Sequence, residues 1–452
     1  MLMKHSIRGI ACLSLAALFA IPQAQAADDL LSLYRKALQY DAQYRAAVAN
    51  TAAEREEINK TRALFMPKLQ ASANVGHGTT DRTTQTALGA LDSHLNYDIQ
   101  NYALSIRQPL FNKESLAAYR SAKANAGSKE ELLRREDAVL MTRIASAYFE
   151  TLYAQEKVAV TQNKIEAVQQ QLQQAQQRYE HGEGTITEIN EAQAVLKLAQ
   201  AELIDARNSL DDFRQTLANI SGQPIADLAA LDTTRIPTTM PGQGNLDEWL
   251  DQALRNNPEI AAARLALDAA RQEVERRRAG HYPTLDLVGV RSYSENDSNN
   301  TIGSQFDTTT VALQLNLPLY AGGYTSASVR QAQDRLTAAE EILNLRTRNI
   351  TADTRKFFNS IQSGLLSIEA YRQAVEAGEI ALEGTQKGFV AGTRTNVDVL
   401  DAQQKLYASK LELSKARYIL INDILNLKQA VGLLNEAELQ AINRFFVSDG
   451  AS

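Results

Sequence analysis

The chain has 452 residues, of which 44% are hydrophobic, and a formal net charge of −6. Only 9 Pro and 22 Gly interrupt this length, so a few long elements are expected rather than many short ones. The negative net charge argues against nucleic acid as the main partner.

The N-terminus has the pattern of a secretory signal peptide. Basic residues precede an apolar run at 10–21, and Ala26 ends a small-residue cleavage site. We therefore predict a signal peptide at 1–26 and a mature chain at 27–452. The single cysteine, Cys12, lies too early in the apolar run for a convincing lipid-attachment site. A mature chain without cysteine cannot rely on disulfides or thiol chemistry.

One unit is used twice along the chain. The segment from Asp41 to Leu69 aligns without a gap with the segment from Asn257 to Leu285, which is typical of an internal repeat. We predict a single duplicated domain. Its parts are unit 1 at about 27–222, a linker at about 223–245, unit 2 at about 246–432 and a tail at 433–452. The linker and the tail are interpreted as a collar outside the helical shaft.

Each unit is predicted to begin with a helix, at about 30–62 and 246–278, with a break at Asn257-Pro258. Alternating apolar and polar residues then predict two strands in each unit, as in Leu69, Ala71, Ala73 and Val75. The polar segments 78–97 and 294–308 are predicted to be long outer loops.

Two long helical hairpins follow the strands, because 110–223 and 319–452 contain no proline. The first arm, at about 113–180, would be on the order of 100 Å long at the usual rise per residue. In the return arms an apolar residue occurs at every seventh position, as in the heptad repeat of coiled coils. The positions are Ile189, Leu196, Leu203, Leu210 and Leu217 in the first, and Val399, Leu406, Leu413, Leu420 and Leu427 in the second. Asp423 interrupts the second series.

A glycine and a capping box mark the turn of each hairpin. The residues are Gly182, Thr185 and Glu188 in the first turn, and Gly392, Thr395 and Asp398 in the second.

Contact with a membrane would have to be made by strands, since no stretch of the mature chain has about eighteen consecutive apolar residues. Four strands cannot close a barrel, and open edges are not tolerated in lipid. Two copies would give eight strands with a nearly filled interior, whereas three would give twelve and leave a lumen. We therefore favour a homotrimer.

Several motifs resemble those of the TolC family of outer-membrane efflux and secretion ducts. They are Gly392-Thr-Arg-Thr, Val397-Asp-Val-Leu-Asp-Ala402, Ser-Ala-Tyr-Phe at 146–149, Pro318-Leu-Tyr-Ala-Gly-Gly323 and Ala416-Arg-Tyr. The resemblance implies an α+β membrane protein in which long antiparallel α-helical hairpins form an α-barrel. Four strands per chain would contribute to a trimeric 12-stranded transmembrane β-barrel. The implied activity is passive export, energised by an inner-membrane transporter that a periplasmic adaptor (membrane fusion protein) links to the duct.

The resemblance also implies a gate at the hairpin ends. In this family an Arg and a Tyr of one hairpin hold an acid and a Gln of a neighbour. Arg394 matches the Arg, Gln177 the Gln, and Glu188 the acid, which is normally Asp. Phe389 occupies the Tyr position and lacks the hydroxyl, so one hydrogen bond of the family gate is expected to be absent.

Asp398 and Asp401 match the paired aspartates that ring the narrow entrance in the family. For Glu188 and Asp398, a capping role and a gating role are about equally supported, and both can hold together. A solvated helix face is the alternative for Asp401. Converging carboxylates of three copies would favour cations and raise their own pKa values. The hairpin turns match the surface on which adaptor tips dock. The matching residues are Gly182, Thr185, Gly392, Thr393 and Thr395.

Catalysis, metal binding and cofactor binding are not expected, since the histidines lack ligand spacing and the sequence has no catalytic constellation. The cargo stays open between proteins, as in type I secretion, and small toxic compounds. A soluble periplasmic coiled-coil adaptor or scaffold without a pore is the alternative function. The alternating strands argue against it, because a scaffold has no use for lipid-facing strands.

Overall fold

A computed structural model describes residues 28–446 except 226, 233–234, 238, 241–244 and 299–300. The predicted signal peptide, much of the second half of the linker and the last residues of the tail lie outside the described residues. The helices are α1 (Leu30–Tyr40), α2 (Ala42–Arg62), α3 (Lys113–Glu180), α4 (Ile186–Ser221), α5 (Leu246–Asn256), α6 (Pro258–Arg278), α7 (Tyr324–Val390), α8 (Asn396–Ala430) and α9 (Glu436–Asn443). The strands are β1 (Lys68–Thr86), β2 (Gly89–Phe111), β3 (Thr284–Ser298) and β4 (Thr301–Asn316).

The four strands form one antiparallel sheet in the order β1-β2-β3-β4. Leu69 pairs with Ile106, and Leu287 pairs with Leu313. These apolar side chains share one face and remain exposed, Leu313 at 67%. The alternation predicted from the sequence is therefore confirmed, and β1 and β4 are the open edges of the sheet within one chain.

The predicted loop at 78–97 is wrong. β1 and β2 continue through it and turn only at 87–88. Its polar residues pair across the strands: the hydroxyl of Thr79 donates to Asn96 Oδ1 at 3.1 Å, and the hydroxyl of Thr83 donates to Asp92 Oδ1 at 2.6 Å. Cross-strand polar contacts thus satisfy a segment whose composition indicated a loop. The predicted loop at 294–308 is likewise mostly strand, because β3 and β4 extend into it.

The first unit begins with two helices rather than the single one predicted at 30–62. Asp41 ends α1 and caps α2, accepting a hydrogen bond from the backbone N–H of Tyr44 at 2.8 Å. Arg143 pairs with the same carboxylate at 2.7 Å. Asn257 caps α6 at the corresponding break in the second unit, so the repeat extends to this break.

The long helices form a layer in the order α4-α3-α8-α7, with α2 and α6 packed against it. The predicted heptad seams are confirmed, because their residues face neighbouring helices. Leu217, Leu420 and Leu427 are at most 1% exposed. Burial raises the pKa of Asp423, and the positive charge of Lys356 partly offsets the rise. The acid that interrupts the seam therefore lies half-buried beside a basic residue of α7.

The main core lies where the linker and the tail meet the shaft. Tyr148 is fully buried on α3 and donates a hydrogen bond to the carbonyl of Ala229 at 2.8 Å. Its ring makes an edge-to-face contact with the ring of Phe446, and the backbone of Phe446 pairs with that of Leu231 in an isolated antiparallel β-bridge. Trp249 of α5 is buried in a second cluster against α7 and α8. Linker, tail and shaft are thus joined by aromatic packing.

Candidate functional site

The two hairpin turns have the same backbone structure. Gly182 and Gly392 have φ values of 79° and 76°, a region that glycine enters without a steric penalty. In the second turn the carbonyl of Gly388 accepts hydrogen bonds from the N–H groups of Thr393 and Arg394. In the first turn the carbonyl of Arg178 accepts the corresponding bonds from residues 183 and 184. The repeat therefore extends to the individual hydrogen bonds of the turns.

The second turn ends in a complete capping box. The N–H of Thr395 donates to Asp398 Oδ2 at 2.8 Å, and the N–H of Asp398 donates to Thr395 Oγ1 at 3.2 Å. The backbone and hydroxyl hydrogen bonds from Thr395, with the charge of Arg394, lower the pKa of Asp398. The cap is therefore fully stabilising at neutral pH and is lost as the pH falls through that lowered pKa. Within one chain the pKa of Asp398 is lowered, whereas converging carboxylates of three copies were expected to raise it.

The first turn has only half of the predicted box. The N–H of Glu188 donates to Thr185 Oγ1 at 3.3 Å. The carboxylate does not complete the reciprocal bond, and Glu188 Oε2 is buried without a hydrogen-bond partner among the described residues. The prediction of two equal capping boxes was therefore wrong for this turn.

The predicted gate residues fall into two groups within one chain. Gln177 and Glu188 lie at the α3–α4 turn, whereas Phe389, Arg394 and Asp398 lie at the α7–α8 turn, with Asp401 exposed one turn further along α8. The predicted contacts of Arg394 with Gln177 and Glu188 concern a neighbouring copy and remain a prediction. The predicted docking residues all face solvent. They are Gly182, Thr185, Gly392, Thr393 and Thr395.

A contact inside the chain joins the two hairpins near their ends. The guanidinium carbon of Arg178, on α3, lies 4.8 Å from the ring centroid of Phe389, on α7. Phe389 is only 8% exposed. Tyr179 stands three residues before Gly182, as Phe389 stands three residues before Gly392, but Tyr179 is 48% exposed. Sequence reasoning found Phe389 through its motif and missed Arg178, since only the packing of α3 beside α8 brings it near.

Buried amides at the start of α8 were also missed. Asn396 and Gln403 are 1% and 6% exposed. Polar side chains beside a turn usually indicate a solvated cap, so the sequence carried no signal of their burial.

Acidic and histidine side chains form no group of three that could hold a metal ion in the part of the chain that the structure describes. Across the same residues, no helix is both long enough and sufficiently apolar to cross a bilayer.

Known families and proteins match over nearly the whole chain. A family model described as "Outer membrane efflux protein" matches residues 33–223 and 249–433. The alkaline protease secretion protein AprF of Pseudomonas aeruginosa is 35% identical, over 93% of this chain and 87% of AprF. The proteases secretion protein PrtF of Dickeya chrysanthemi is 34% identical, over 93% and 91%. The outer membrane protein TolC of Escherichia coli is 32% identical, over 98% and 89%.

Solved structures match the fold. A crystal structure of CusC aligns with a TM-score of 0.78 at 17% identity, over 90% of this chain and 92% of that one. VceC of Vibrio cholerae aligns with a TM-score of 0.76 at 22% identity, over 89% and 96%.

Proposed function

The chain belongs to the outer membrane efflux protein family, and on this premise we propose that it is the outer-membrane duct of a protein secretion machine. The family assignment makes it an outer-membrane export channel that extends into the periplasm. The alternative of a soluble periplasmic scaffold without a pore is therefore set aside. Beyond this family role, we propose the class of cargo, the trimeric assembly and the residues that form the gate.

Protein cargo is favoured by one observation. AprF and PrtF, both named for protease secretion, are 35% and 34% identical to this chain over 93% of its length. The export route would be passive, because the duct offers a passage and the energy comes from an inner-membrane transporter. A periplasmic adaptor would link the two.

A homotrimer is the proposed assembly. Within the chain β1 and β4 are open edges, and open edges in lipid must find partners. The helices at the two sides of the layer, α4 and α7, also expose apolar side chains. Leu198 and Ile204 of α4 are 65% and 61% exposed, and Leu366 and Ile380 of α7 are 75% and 67% exposed. Ring closure would cover these residues by packing α7 of one copy against α4 of the next.

The hairpin ends would act as the gate and as the docking surface. Arg394 of one copy would contact Gln177 and Glu188 of its neighbour. The Oε2 of Glu188 has no hydrogen-bond partner among the described residues, which supports this role, since a carboxylate forms its stronger hydrogen bonds with charged donors. Adaptor tips would dock on the exposed turns around Gly182 and Gly392 and untwist the hairpin ends.

Secretion in a reconstituted machine tests the proposal. The chain is expressed in cells without their own duct, together with the adaptor and transporter of a protease exporter. We expect protease in the medium. For the purified trimer of Arg394→Glu we expect a larger open fraction in planar lipid bilayers, because the variant places like charges opposite Glu188. Leu198→Asp is the matched variant for assembly and should reduce the yield of trimer. Export of dyes or antibiotics without protease would exclude the proposed cargo.

A further inference from the structure

The interior of the second hairpin end contains amides that no partner satisfies. Asn396, the first residue of α8, is 1% exposed, and neither Oδ1 nor Nδ2 has a hydrogen-bond partner among the described residues. Gln403 is 6% exposed, and its Oε1 is also unpartnered. Seven residues separate them, so they lie two turns apart on the same helix face.

That face packs against the first hairpin. Leu400, between the two amides, is 5% exposed and forms one apolar cluster with Val168, Ala192 and Leu196 of α3 and α4. The hydroxyl of Tyr407 donates to the carbonyl of Asn163 at 3.3 Å, which sets the antiparallel register of α8 and α3. One helical turn towards the start of α8, Gln403 therefore lies opposite about residue 167 of α3.

Buried amide atoms without partners destabilise the packed arrangement. Each atom has given up its hydrogen bond to water without replacing it. The loss is recovered when α8 moves away from α3 and water reaches the amide. An apolar side chain of the same size has no such loss, and its burial favours the packed arrangement.

We propose that Asn396 and Gln403 set the opening threshold of the hairpin ends by weakening their packed arrangement. The inference rests on the proposed gate at these ends. The two amides lower the work that an adaptor must do to separate α8 from α3 and α4. They are positioning residues, because they act on the helix packing and need not touch the cargo.

Thiol labelling tests the proposal without depending on cargo. The mature chain is expected to contain no cysteine, so Leu400→Cys supplies a single buried probe between the two amides. The full-length trimer is labelled with a small maleimide in the presence or absence of Asn396→Leu and Gln403→Met. We expect the two apolar substitutions to slow labelling about five- to thirty-fold, because they remove the cost of burying amide atoms without hydrogen bonds and so stabilise the packed arrangement.

Two further variants give the test its sign and its control. Asn396→Asp adds a charge at the same buried position and should speed labelling. Gln404→Met makes the same exchange at an exposed neighbour and should leave the rate unchanged. Unchanged or faster labelling with the two apolar substitutions, or equal slowing by Gln404→Met, would overturn the proposal. Failed protease secretion with these labelling rates intact would count against the proposed cargo alone.

Discussion

Replacing Phe389 by Ala should release the hairpin ends. Phe389 is 8% exposed, and Arg178 lies over its ring at 4.8 Å. Phe→Ala at a buried site costs about 3–5 kcal/mol, and a partly exposed cation–π contact contributes about 0.5–1 kcal/mol. A helix end relaxes more easily than a core, so we expect Phe389→Ala to destabilise the closed hairpin ends by about 3 kcal/mol, the lower end of that range. This value corresponds to a shift of about two orders of magnitude in the ratio of open to closed ends.

Single-channel recording of the purified trimer in planar lipid bilayers measures this ratio. Tyr179→Ala is the matched control, because Tyr179 occupies the same turn position in the other hairpin and is 48% exposed. Substitutions at such sites change stability by about 0.5 kcal/mol or less. Phe389→Tyr keeps the ring and should stay mostly closed. The reasoning is refuted if Tyr179→Ala opens the channel as much as Phe389→Ala, or if neither does.

Three other outcomes are expected. Replacing both Asp398 and Asp401 by Ala should weaken cation selectivity, because three converging copies of each carboxylate would attract cations into the narrow entrance. Reversal potentials in a salt gradient measure this selectivity, and an unchanged value would refute the ring. Gly392→Ala should cost about 1–2 kcal/mol, because its φ is 76° and nothing lies near the added Cβ; hydrogen exchange of the turn amides would speed up accordingly, and Gly384→Ala, in a helix with open space, is the control. Tyr148→Phe should lower the free energy of unfolding by about 1–3 kcal/mol, since it leaves the carbonyl of Ala229 unpaired in the core; a melting temperature equal to that of the wild type would contradict this.

Local periodicity allowed much of the architecture to be predicted. Two hairpins were indicated by the absence of proline from two regions and by the apolar residues at every seventh position from Ile189 and from Val399. Strand alternation around Leu69 indicated a two-faced sheet. Both are short-range patterns, because the spacing of apolar residues decides which face of an element is buried.

Pairing through space was not predictable in the same way. The segment 78–97 was predicted as a loop because it is rich in Thr, Ser, Asn and Asp, yet several of these side chains bond to the opposite strand, as Thr79 does to Asn96 and Thr83 to Asp92. The break at Asp41 was missed although its cap on Tyr44 is local, whereas the ion pair of Asp41 with Arg143, about a hundred positions away, is visible only in the packed chain. The contact of Arg178 with Phe389 also depends on the packing of the two hairpins.

The sequence by itself determined the duplication, the long helices, the glycine turns and the strand faces, because each follows from residues close together in the chain. Only the tertiary structure decided that Phe389 lies under Arg178 and that Asn396 and Gln403 are buried without partners. Burial and hydrogen-bond satisfaction depend on which elements meet, and that is a property of the packed chain rather than of any one segment.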